Sequence, residues 1–394
     1  MSFLLCRPPR IRTTAKGLSC SAANRRGPPR AKPTLLQWAL RIELAVRTSA
    51  EHTGRPVSSS NVKDLANRTV VVTGASAGIG RAIALRFGDA GARVGLIARD
   101  ADALSEVKEQ IAKRGGTALV APVDVSDAQA VFNAADAIET QLGPIEYWIN
   151  DAMVTVFAPV WTITADEFRR VTEVTYLGAV HGTMAALRHM RKHNRGTIIQ
   201  IGSALAYRGI PLQAAYCGAK HALHGFTDSL RTELIHSGSP IKISMVELPA
   251  VNTPQFDWAR THMRRRPRPV PPVVEPEVIA NTVLRTALRP SREVWIGGST
   301  IKAIVGNMFV PQFLDHYLAK FTFDQQETQV RVSPKRKDNL LTPVHGLHRT
   351  RGSFDHEAVA TMIAVPGVWA RLAPILVGSL FCFGFGFWAG RPHS

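Results

Sequence analysis

The chain has little of several things that would narrow its function at once. It has four cysteines in 394 residues, Cys6, Cys20, Cys217 and Cys382, with no CxxC pair and no framework spacing. That usage argues against structural zinc and favours a reducing compartment for the globular part. Acidic residues are scarce, 30 against 48 Lys and Arg, which leaves a net charge of +18. The excess is unevenly placed: residues 1–60 hold eleven basic residues against Glu43 and Glu51 alone. A basic tail says little about a fold. The run Arg264–Arg266 has no interleaved aromatics and no nucleic-acid motif around it, so a nucleic-acid partner is not expected. His189 and His193 lie four apart on a basic helix end with no acidic or cysteine ligand nearby, so no metal is expected.

What is present is enough to build a sizeable core, with 45% hydrophobic residues. Residues 1–60, rich in Arg, Ser and Pro, read as an unstructured extension or as an organellar targeting presequence. Residues 61–325 read as one catalytic domain in which short apolar runs alternate with helical patterns. "TVVVTG", "RVGLIAR", "TALVAPVDV", "IEYWIND", "GTIIQIGS" and "IKISMVELPA" are the strands; a single long helix is expected over 166–194 and another over 215–238. Apolar strands alternating with helices predict an α/β fold with a doubly wound parallel sheet. Residues 252–275, rich in Pro and Arg, follow the sixth strand and read as a lid over a substrate or as a plain surface connection. Residues 300–330 are apolar enough to pack on the domain, and 326–365 read as an exposed linker. The tail, 366–394, contains an uncharged run from Leu372 to Gly390. As a helix it would span roughly 28 Å, near a bilayer core. It is a candidate transmembrane segment, with an apolar tail packed on the domain as the other reading.

"VVVTGASAGIGRAIA" sets Gly74, Gly78 and Gly80 between a strand and a helix. Glycines there permit a tight turn and close approach to a pyrophosphate, and the helix N-terminus adds unpaired N–H groups. The second strand ends on Ala98, Arg99 and Asp100. An acidic residue would bind a ribose 2′-hydroxyl, whereas Arg99 suits a 2′-phosphate, so NADP(H) is read over NAD(H). Asp100 is left as either a ribose acceptor or a helix N-cap. Asp124, after the third strand, is placed to meet an adenine ring or to cap a turn.

Tyr216 and Lys220, four apart in "AAYCGAKHALHGF", share one helix face. Ser203 ends the fifth strand thirteen residues earlier, so all three would face one cleft. Together with T-G-x-x-x-G-x-G from Thr73 to Gly80, this set resembles the short-chain dehydrogenase/reductase family over about residues 65–300. The resemblance implies a Rossmann-like oxidoreductase with Tyr216 as general acid/base, Lys220 as its activator and ribose ligand, and Ser203 orienting the substrate oxygen. It further implies cofactor contacts at Ser76, Ile79, Val125, Asn150, Ala152, Pro249 and Thr253.

Three departures from the family pattern stand out. Asn150-Asp151-Ala152-Met153 replaces N-N-A-G, Pro249-Ala250 replaces P-G, and Thr175 stands where the family has an active-site asparagine thought to hold a water beside the lysine. The expected substrate is a ketone or secondary alcohol, lipophilic if the apolar C-terminal part bears on it. The alternative is a non-catalytic or weakly active nucleotide-binding protein on the same fold. The resemblance also implies a homodimer or homotetramer through helices near 168–193 and 216–236. Localisation is expected to be cytoplasmic, with membrane anchoring through the tail as an option.

Overall fold

The computed structural model describes residues 65–372. Strands β1 (Thr69–Thr73), β2 (Arg93–Ala98), β3 (Thr117–Pro122), β4 (Ile145–Asn150), β5 (Thr197–Ile201), β6 (Lys242–Glu247), β7 (Glu293–Ile296) and β8 (Ala364–Pro366) form one eight-stranded sheet in the order β8-β7-β6-β5-β4-β1-β2-β3. All neighbours are parallel except β8, which runs antiparallel on the β7 edge. The order reverses between β1 and β4, which opens a crevice at their carboxyl ends. β1 and β5 are buried along their whole length, as expected of parallel strands covered on both faces.

The helices are α1 (Gly78–Asp89), α2 (Ala101–Lys113), α3 (Ala128–Leu142), α4 (Ala165–Thr172), α5 (Gly178–His193), α6 (Ala214–His236), α7 (Pro276–Leu288), α8 (Gly298–Phe309) and α9 (Pro311–Gln325). One face of the sheet packs on α1, α2 and α7 through residues such as Phe87, Leu104 and Val283. The other packs on α3, α5 and α6 through Ile138, Met190 and Leu230. Local signals set the helix starts. Asp100 and Asp127 accept from the amides of Ala103 and Ala130, and Thr164 with Glu167 forms a capping box on α4.

Four expectations change. The single helix predicted over 166–194 is interrupted by a π-helical turn at Glu173–Leu177. There the hydroxyl of Thr175 donates to the Val154 carbonyl (2.8 Å) and accepts from the Val154 amide (3.1 Å), which draws the turn toward the loop after β4. Residues 252–275 hold one helical turn, Gln255–Trp258, and three strands of two or three residues. Helices α8 and α9 bury Ile304 and Thr322 but leave Phe309, Phe313, Tyr317 and Phe321 exposed. The stretch expected to be an exposed linker is packed: Leu340 is fully buried, and Val344 and Phe354 nearly so. Leu340 joins the α3–α5–α6 core, and burial of a leucine contributes about 2 kcal/mol. No apolar pattern longer than the pair Leu340–Leu341 marked these positions in the sequence.

The basic extension at 1–60 lies outside the described residues, as does the uncharged run beyond Leu372. Among the described residues no helix is long and apolar enough to cross a membrane. Where the described chain ends, Ala370 packs beside Trp295 and Ile304, and the Arg371 guanidinium lies 5.1 Å from the Trp295 ring.

Candidate active site

The glycine turn is built for close approach. Gly74 has φ +76°, a conformation that favours glycine, and a Cβ there would lie 2.9 Å from the Ala152 backbone. A Cβ on Gly80 would collide with the Gly74 carbonyl oxygen. α1 then starts at Gly78 with no side-chain cap and no acidic residue in its first turn. Its N-terminal dipole is therefore not offset by a carboxylate of its own turn. A cradle that any side chain would fill, opening onto a helix N-terminus, fits a dinucleotide pyrophosphate.

A cleft with a cavity of about 150 Å³ lies over this turn. Gly74, Ser76, Gly78 and Ile79 form its floor, and Arg99, Asp124, Val125, Ala152 and Thr253 its sides. Gly80, Asn150 and Pro249 do not line it. Asn150 instead ties β4 to its neighbours: it donates to Thr183 (3.1 Å) and Gln200 (3.0 Å) and accepts from Trp148 Nε1 (2.8 Å). Asp124 accepts from the Ser126 amide and hydroxyl and pairs with Arg170. Burial alone would raise its pKa, but these partners hold it below the usual carboxylate range. Asp100 takes its N-cap role, accepting from Ala103 at 3.0 Å, while its second oxygen lies 2.6 Å from His345 Nδ1 and 3.1 Å from His348 Nε2.

The rest of the cleft wall comes from the stretch read as a linker. Asn339, Pro343, Val344 and His348 line it. This strap is bonded to the nucleotide elements themselves. The Gly78 amide donates to the Arg349 carbonyl (2.9 Å), and Arg81 Nη1 donates to the His348 carbonyl (2.8 Å). Arg99 donates to the carbonyls of Asn339, Leu340 and Leu341 at 2.6, 3.4 and 3.0 Å.

Ser203, Tyr216 and Lys220 come together where β5 ends and α6 begins. The Tyr216 phenol faces Ser203. The Ser203 hydroxyl also accepts from the Leu205 amide (3.1 Å), which sets its direction. Lys220 is buried, donates to the Ile201 carbonyl (2.6 Å) and lies 5.6 Å from the Tyr216 ring centre. Burial pushes the Tyr216 phenol above its ordinary value, and the Ser203 side chain works against that. Burial also lowers the Lys220 ammonium, opposed by the charges of Asp151 and Glu247.

Neither carboxylate was given a role from the sequence, where Asp151 stood out only as a departure from the family pattern. Asp151 replaces an amide residue of the family pattern, lines the cleft and accepts from the Gly80 amide; burial raises its pKa, and the Lys220 charge opposes the rise. Glu247 closes β6, is fully buried and accepts from the Ser203 amide at 2.6 Å. Burial, then the neighbouring Glu293 charge, raise it to about 8. A carboxylate following the apolar pair Met245–Val246 at the end of strand "KISMVE" was the available signal. Thr175 is buried under the loop after β4. Its only hydrogen goes to the Val154 carbonyl.

The model of the short chain dehydrogenase family matches residues 68–264. The chain is 30% identical over 291 residues to the "Uncharacterized oxidoreductase YxnA" of Bacillus subtilis (strain 168), covering 73% of this chain and 81% of that protein. It is 31% identical over 235 residues to the "Fatty acyl-CoA reductase" of Acinetobacter baylyi, covering 59% and 76%. Among solved structures, a metagenomic short-chain oxidoreductase in complex with NADP aligns at TM-score 0.49 and 29% identity, over 58% of this chain and 96% of that one.

Proposed function

The chain belongs to the short-chain dehydrogenase family, and from that premise we propose that it transfers hydride between NADP(H) and a ketone or secondary alcohol, with Tyr216 as the general acid/base. The observation that carries this reading is the Ser203–Tyr216 pair with Lys220 behind it, joined to the glycine turn through Asp151, which acts on both Lys220 and Gly80.

When bound, the nicotinamide supplies or accepts the hydride. The residues of the chain handle the oxygen and its proton. In reduction the Tyr216 hydroxyl gives its proton to the substrate oxygen, and in oxidation it takes that proton back. The Ser203 hydroxyl hydrogen-bonds the same oxygen and fixes its position. The desolvated phenol holds its proton tightly. The Lys220 charge makes the phenolate less costly, and the Ile201 carbonyl keeps the ammonium in place. Gly74, Ser76, Gly78, Ile79 and Thr253 would hold the phosphates, and Arg99 would meet a 2′-phosphate. Support for a lipophilic substrate comes from Met153, Val154, Val174 and Trp258 in the cleft wall, and from the name of the fatty acyl-CoA reductase relative. We also read the chain as a homo-oligomer joined through α5 and α6, which expose Met184 and Ile235.

A panel of carbonyl compounds followed at the nicotinamide absorbance, with NADPH and NADH in parallel, tests the reading. Tyr216→Phe is expected to lose at least 10²-fold in turnover. Equal activity in the variant would overturn the acid/base role, and a clear NADH preference would overturn the cofactor assignment. The committed hydroxyl of Thr175 favours a second reading, a weakly active nucleotide-binding protein. That reading predicts NADPH binding with little or no turnover across the panel.

A further inference from the structure

We propose that residues 339–341 are positioning residues for cofactor selection: their main-chain carbonyls hold Arg99 in the orientation that reads a 2′-phosphate. The inference rests on the nicotinamide dinucleotide reading above. It assigns part of the discrimination to a segment beyond residues 68–264, the stretch that the family model matches.

The geometry at Arg99 is specific. A guanidinium has five N–H donors in a planar fork. Nη1 donates to Leu340 and Leu341, and Nη2 donates to Asn339. Three bonds to successive carbonyls fix the plane of the group. Among the described residues no protein acceptor takes the Nε hydrogen or the second Nη2 hydrogen, and Arg99 lines the open cleft. Carbonyls orient the cation without cancelling its charge. An arginine held this way has less rotamer freedom to lose when it clamps a phosphate.

The strap is itself anchored, so it can hold Arg99 rather than follow it. The Leu340 side chain is fully buried, and its carbonyl also accepts from Arg170 Nε at 3.1 Å. The Asn339 amide donates to the Trp258 carbonyl at 3.0 Å, and the His348 ring lies 5.2 Å from the Trp258 ring. The acidic groups nearby have other partners. Asp124 is bonded to Arg170 and Ser126, and Asp100 caps α2 and faces His345 and His348. Neither carboxylate is hydrogen-bonded to Arg99, although the Asp124 charge steadies the guanidinium from nearby.

The test is equilibrium binding of two adenosine fragments to the full-length protein by titration calorimetry. Adenosine 2′,5′-bisphosphate carries the 2′-phosphate, and adenosine 5′-monophosphate lacks it. Wild type is expected to prefer the bisphosphate. Pro343→Gly loosens the strap without removing a core side chain, and Leu340→Ala removes its anchor. Both are expected to lower the ratio of the two affinities at least tenfold, as Arg99→Met does. A merely structural role would weaken both fragments alike and leave the ratio unchanged. If the ratio survives in Pro343→Gly while Arg99→Met abolishes it, the positioning role is wrong and the cofactor reading stands. If wild type binds the two fragments equally, the NADP(H) reading fails, and this inference fails with it. Should Leu340→Ala not fold, Pro343→Gly decides the question alone.

Discussion

Gly80 shows how little freedom single positions have here. One added carbon would meet the Gly74 carbonyl oxygen, which belongs to backbone and cannot swing away. Gly80→Ala is expected to weaken NADPH binding by tenfold or more, measured by calorimetry, because the turn that approaches the pyrophosphate must shift. Unchanged affinity would show that the turn does not carry the nucleotide. Glu247 is constrained by charge instead. Its pKa rises from the ordinary 4.5 to about 8 on burial. A carboxyl with a raised pKa favours folding while protonated and loses that contribution as pH climbs from about 4.5 through about 8. Glu247→Gln keeps an acceptor for the Ser203 amide and removes the ionisation. The variant should therefore lose less Tm than wild type between pH 6 and pH 9. Parallel curves for the two proteins would sink that account. Gly80 was legible in the sequence because the glycine spacing is a local pattern. The role of Glu247 was not, since it depends on Ser203, 44 positions away.

At the scale of elements, the π-helical turn between α4 and α5 is the main departure from the expected fold. Residues 166–194 have an unbroken helical pattern, and nothing in that pattern signals an extra residue in one turn. The cause is a partner on another element, the Val154 backbone, whose amide and carbonyl both bond to Thr175. Thr175→Val would leave two buried backbone groups without partners, at a cost of about 1–3 kcal/mol. Thr175→Ser should stay near wild type. Urea denaturation midpoints measure the difference, and equal midpoints for valine and threonine would show that the hydroxyl does not hold the turn. The strands and the helix caps were legible because apolar runs and Asp or Thr caps act within a few residues of sequence. The two apolar helices α8 and α9 were legible as apolar but not as exposed, because exposure depends on what packs against them.

At the scale of the whole molecule, the strap links the end of the described chain to the cofactor elements near its start. Arg349 and Arg351 are exposed, while the Arg349 carbonyl holds the Gly78 amide. NADPH is therefore expected to slow tryptic cleavage after both residues at a fixed protease ratio. Cleavage at the same rate with and without nucleotide would remove the strap from the site. Alternating apolar runs and helical patterns determined the doubly wound sheet, and the residue types at Gly74 to Gly80, Ser203, Tyr216 and Lys220 determined the chemistry to expect. Each of these signals repeats or closes within one strand–helix unit, which is why the chain reveals it unaided. The strap over the cleft, the three carbonyls on Arg99, the clamp on Thr175 and the carboxylates beside Lys220 were decided only by tertiary structure. Each joins residues from tens to hundreds of positions apart, through backbone groups that every residue carries and no sequence pattern marks.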